Sequence, residues 1–75
     1  MYIVKREFGL GLGTAYFSGY VFLEKTGVVV CDFSFSRGDA IVFENYNDAL
    51  HARKRWGKGA QVREIQLKEI INEEV

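Results

Sequence analysis

The densest run of chemistry-bearing side chains is His51–Gly59, HARKRWGKG, which sets four formal positive charges beside an indole with no acid among them. Cations can neutralise phosphates and an indole can stack on an unpaired base. Arg53, Lys54, Arg55, Trp56 and Lys58 could therefore make a short nucleic-acid contact. A plainer role competes with it. Cations suit the negative end of a helix, and Trp56 falls in phase with Ala49, Leu50 and Arg53, as a helix anchored on a sheet requires. The chain has no second basic cluster to lengthen the footprint, and residues 59–75 carry a formal charge of −2. The structural role is the stronger reading.

Groups for acid–base or nucleophilic chemistry are sparse. The sole His51 sits among cations, and only Asp48, three residues earlier, could orient its ring. Cys31 falls on the apolar side of an alternating stretch, where a thiol packs more often than it reacts. Nothing in their spacing favours a Cys31–His51 pair. Asp32, Asp39, Glu44 and Asp48 are scattered as solvated surface groups are. The run GLGLG, Gly9–Gly13, lacks both the G-x-G-x-x-G spacing with a following helix and the Gly-Lys-Ser/Thr of a phosphate loop. It reads as a hairpin connection, and if it has a role, Leu10 and Leu12 are placed to touch a partner. No catalytic residue, cofactor site or metal site is expected, and the chain is read as not an enzyme.

The elements that must position these residues are bounded by composition. Seventy-five residues allow a single domain, 1–75, and formal net charge is zero. A domain of this size buries only about 60% of the surface its unfolded chain exposes. Eleven aromatic residues would compensate, since each buried ring removes about 150–250 Å² from water. No run of 18 apolar residues exists to span a membrane, and charges interrupt the start MYIVKREF before any signal-peptide core can form. With one unpaired thiol, a cytoplasmic setting is expected.

Along the chain, Met1–Phe8 and Ala15–Leu23 favour strands, and Glu24–Gly27 makes a hairpin turn. Val28–Phe35 is a third strand, with Val29, Cys31, Phe33 and Phe35 inward. Ala40–Phe43 is a short fourth. Asn45 caps a helix from Tyr46 to about Trp56, with Gly57 beyond its end. Ala60–Leu67 is a last strand, and 68–75 reads as either a short helical tail or a frayed end. The expected fold class is α+β: a mainly antiparallel, twisted sheet of four to five strands with one amphipathic helix on one face, in the order β-β-β-β-α-β.

Nine of the eleven rings fall on predicted strands or at their ends. One helix covers one sheet face, and strict alternation sets Tyr16, Tyr20 and Phe22 on the face opposite Phe17 and Val21. Either the sheet curves to enclose both sets or an aromatic patch is left for protein contact, self-association included.

The hairpin YFSGYVF (Tyr16–Phe22), the segment DAIVFENYNDAL (Asp39–Leu50) leading into one helix, and the strand AQVREIQL after a glycine resemble small uncharacterised proteins of temperate phages and prophages of Gram-positive bacteria. Tyr16, Gly19, Tyr20, Ala40, Phe43, Ala49 and Trp56 carry the resemblance over about residues 14–67, and Gly9–Gly13 departs from it. It brings no catalytic motif. It implies a phage accessory protein that binds and modulates a host protein, as inhibitors of host defence do. Partner-binding residues are then expected to be Tyr16, Tyr20, Phe22, Leu10 and Leu12. The partner would be a host or phage protein or a second copy, with nucleic acid the alternative and no membrane involved.

Overall fold

The computed structural model describes residues 1–66, so the expectation for 68–75 lies outside the described residues. Strand β1 (Tyr2–Phe8), β2 (Gly13–Leu23) and β3 (Val28–Ser34) form a meander. A single 3₁₀ turn (Arg37–Asp39) follows, then helix α1 (Tyr46–Trp56) and strand β4 (Ala60–Glu64). The sheet order is β3-β2-β1-β4, antiparallel throughout, so β4 pairs with β1 and β3 is an edge. This is the expected α+β class, with four strands and one helix.

Ala40–Phe43 contributes a single bridging pair, Tyr2↔Phe43, in place of the fourth strand its composition suggests. Its hydrogen bonds go to two different strands. Ile41 N donates to Phe17 O at 2.9 Å, while Tyr2 and Phe43 exchange two bonds of 2.8 Å. The segment is a wedge inserted where β1 and β2 part.

Helix α1 is built as its sequence directs. The Asn45 side chain accepts from Asn47 N at 2.7 Å, and Gly57, at φ +109°, closes the other end with its N–H on Arg53 O. Its covered face is narrow. Ala49 and Ala52 are fully buried, flanked by Trp56 and Arg53, while Leu50 is only half-buried. Small side chains let the helix lie close to the sheet, and the shared core is Val4, Phe17, Ala49, Ala52 and Ala60, with Tyr2, Cys31, Phe43, Trp56 and Val62 packed around it.

One backbone irregularity reorganises the sheet faces. The β2–β3 register slips between Phe17 and Gly19, leaving Ser18 as an extra residue, and Gly19 sits at φ +138°, a conformation L side chains rarely adopt. Past this bulge the alternation inverts. Phe17 pairs with Phe33, whereas Tyr20 pairs with Cys31 and Phe22 with Val29, so all of these lie on the helix side. Val21↔Val30 and Leu23↔Val28 lie on the opposite side with Tyr16. The expectation that Tyr16, Tyr20 and Phe22 share one face, opposite Phe17, is therefore corrected. A one-residue bulge moves every later side chain to the other face.

Candidate functional site

The β2–β3 hairpin extends past the wedge and past the helix, forming an arm. Helix α1 reaches β4, β1 and part of β3, and its narrow alanine face leaves the arm's end bare on both sides. Phe22 is 61% exposed on the helix side, and Val21, Leu23, Val28 and Val30 are exposed on the other.

The arm's outer edge is partly occupied by side chains, one of its own and one from the helix. The Asp32 carboxylate accepts from Phe33 N at 3.0 Å, and an Arg55 guanidinium nitrogen donates to Val29 O at 3.4 Å. Backbone groups taken in this way cannot join an added strand, which protects an edge from indiscriminate pairing.

Tyr20, 46% exposed, belongs both to this bare surface and to the core margin. Its ring lies 5.0 Å from Phe17, edge to face, and under the Arg55 guanidinium at 5.9 Å. Burial, and then the neighbouring Cys31, pushes its hydroxyl pKa up. Tyr20 also borders an open, shallow cleft of about 250 Å³ with Phe43, Asp48 and His51.

The β1–β2 connection supplies a second exposed apolar point. Leu12 N bonds to Gly9 O at 3.3 Å around Leu10 and Gly11, both left-handed at φ +60° and +76°. This is the mirror-image two-residue turn that suits a right-twisted hairpin, and it normally takes Asn, Asp or Gly at its first central position. Leucine is there instead, fully exposed, with Leu12 63% exposed beside it.

The basic run disperses on folding. Arg53 Nε donates to Ala60 O at 3.0 Å and fastens the helix to β4, and Arg55 is held between Tyr20 and Val29 O. Trp56 is half-buried, stacked on Phe33 at 6.1 Å and 6.5 Å from Phe17, so it serves the core. Lys54 and Lys58 remain exposed. Sequence reasoning missed the cluster that Trp56 joins. Phe33 and Phe35 touch Phe8 at 5.7 and 5.8 Å, and Arg6 lies 5.7 Å over the Phe8 ring. Its members come from three elements, so no local spacing announces it.

Cys31 packs at the core margin, where burial raises its thiol pKa against the opposing pull of Arg55. No group of three or more His, Cys, Asp or Glu that could hold a metal occurs among the described residues. No helix among them is long and apolar enough to cross a membrane.

Fold and surface together define an open four-stranded antiparallel sheet, closed by a helix at one end and bare at the other. No family model matches the chain, and neither a curated protein nor a solved structure does.

Proposed function

We propose that the chain is a non-enzymatic contact protein that works by presenting the β2–β3 arm to another protein. The exposure of Phe22, Val21, Leu23, Val28 and Val30 together at the end of one hairpin carries this reading. A small domain gains no stability from leaving such apolar side chains in water, and patches of this kind mark contact sites. Leu10 and Leu12 offer a second apolar point at the β1–β2 turn. The resemblance to temperate-phage proteins supplies the setting: an accessory protein that binds a host protein and modulates it.

The nucleic-acid alternative has less support, because Arg53, Arg55 and Trp56 are engaged within the fold. One pair of measurements tests both readings. Immobilised chain is expected to retain a discrete protein from host lysate, and Phe22→Ser is expected to lose it while keeping the wild-type circular dichroism. Equal retention by both would sink the arm as a contact surface. Single-stranded DNA binding that falls steeply between low and physiological salt, and vanishes with Arg53→Ala plus Arg55→Ala, would transfer the function to the basic helix end.

A further inference from the structure

The two edges of the arm are not equivalent. On β3, the backbone groups that turn away from β2 are marked by what holds them: the Asp32 carboxylate takes Phe33 N, and Arg55 takes Val29 O. In an antiparallel ladder, residues directly opposite one another either exchange both bonds or turn their groups outward together. The outward residues of β3 are thus Val29, Cys31 and Phe33, and their partners Phe22, Tyr20 and Phe17 turn outward from β2. Phe17 already does so, since its carbonyl accepts Ile41 N of the wedge at 2.9 Å.

Farther along that edge, β1 has left β2 after Tyr16 and the wedge after Phe17. The N–H and C=O groups of Tyr20 and Phe22 take no bond there among the described residues. Such a row of alternating donors and acceptors is chemically specific. The backbone of an extended chain is what meets all of its groups at once.

The side chains agree with the backbone. Residues directly opposite in a ladder point to the same side, so an added residue facing Tyr20 would stand on the helix side. The cleft bounded by Tyr20, Phe43, Asp48 and His51 lies there, and Phe43, a wedge residue, sets it beside the β2 edge. With about 250 Å³, two rings for walls and the exposed Asp48 and His51 at its rim, it suits one large apolar side chain. An added residue facing Phe22 would cover a ring now 61% exposed.

We propose that the β2 edge at Tyr20–Phe22 receives an extended segment of a partner protein as an added strand, with a large apolar residue facing Tyr20 and seated in the cleft. The inference rests on the reading of the arm as a contact surface and names its mode. Backbone bonds supply the hold, and the cleft supplies the choice of residue.

Amide hydrogen exchange in the free chain is the first test. The amides of Tyr20 and Phe22 are expected to exchange at least about tenfold faster than those of Val21 and Val30, which face each other across the ladder. Equal exchange would mean an edge already filled or a ladder not formed, and overturns the proposal. The second test uses a capped peptide alternating threonine and valine, with one central phenylalanine and a lysine at each end. Titrated to about 1 mM, it should shift and protect the Tyr20 and Phe22 amides. N-methylating the peptide on one alternating set of nitrogens should abolish binding, and on the other set should leave it within about twofold. Replacing its phenylalanine with threonine should weaken binding several-fold. No shift, shifts centred on Cys31 at the β3 edge, equal effects of the two methylated sets, or a threonine peptide that binds as well each overturns the proposal. A chain that captures a host protein through Phe22 but shows none of the peptide effects overturns the added strand and leaves the proposed function standing. Peptide addition at Tyr20 and Phe22 beside host capture indifferent to Phe22 does the reverse.

Discussion

Phe17 and Phe22 lie on the same strand and on the same side of the sheet, yet one is 1% exposed and the other 61%. Position along β2 separates them. Phe17 stands where α1, the Phe43 wedge and β1 converge. Phe22 stands where β2 has only β3 for company. A strand's composition sets what it could bury, and the reach of a helix face just two alanines wide sets what it does bury. The covered end of the sheet makes the fold, and the bare end is available for use.

The sharpest way to break this comparison is to truncate both rings. Phe17→Ala should cost about 3–5 kcal/mol, enough to threaten folding of a small domain, and Phe22→Ala less than about 1 kcal/mol, both read from urea unfolding. Comparable losses would show that the arm is part of the core. Next in size, Ala52→Leu should cost about 1–3 kcal/mol by forcing the helix off Val4 and Val62, whereas an added methylene on the arm, Val28→Ile, should be nearly neutral.

Much of the covered end is legible in sequence. Asn45, Asp48 and Gly57 bound the helix as its ends require, and Glu24–Gly27 closes the β2–β3 hairpin as a polar turn ending in glycine. The bare end is less so. Its face assignment depends on Ser18 being looped out, and a bulge follows from the fit of two strands against a third element, here the 41–43 wedge. Gly19 was the available signal, since a glycine inside a strand often marks such a site. The wedge itself shows why β-favouring residues need not form a ladder: Ile41 and Phe43 bond to different strands. Of the expected contact residues, Phe22, Leu10 and Leu12 are exposed, Tyr20 is shared with the core margin, and Tyr16 is half-buried on the other face.

A smaller effect, of opposite sign, is expected at the other hairpin turn. Leu10→Asn should stabilise by about 0.5–1 kcal/mol in thermal unfolding, because Asn tolerates the left-handed conformation that costs leucine. A stabilised variant that also lost partner capture would show the leucine to be kept there for contact. The slightest effect concerns acid. Thr14 Oγ1 donates to Glu7 Oε2 at 2.8 Å, and this bond, then Lys5, lowers the Glu7 carboxyl pKa. A carboxyl depressed by folding stabilises above its ordinary range, and the benefit is lost as pH falls through its folded value. Melting temperature followed from pH 6 to pH 3 should therefore decline slightly less steeply in Thr14→Val than in wild type. Identical slopes would mean the pairing is too well solvated to matter.

The sheet order also dictates a sequence of events. β1 lies in the interior of the sheet between the neighbour that follows it at once and β4, the last strand among the described residues, some fifty residues on. The meander can zip from local contacts, since each of its turns closes a short loop. Val4 and Phe17 nonetheless stay wet, and one edge of β1 stays open, until α1 and β4 arrive together across the turn that Arg53 fastens. Assembly of the sheet is thus gated by the arrival of α1 and β4. A chain interrupted before Ala60 would carry two unfinished sticky edges, β3 by design and β1 by omission.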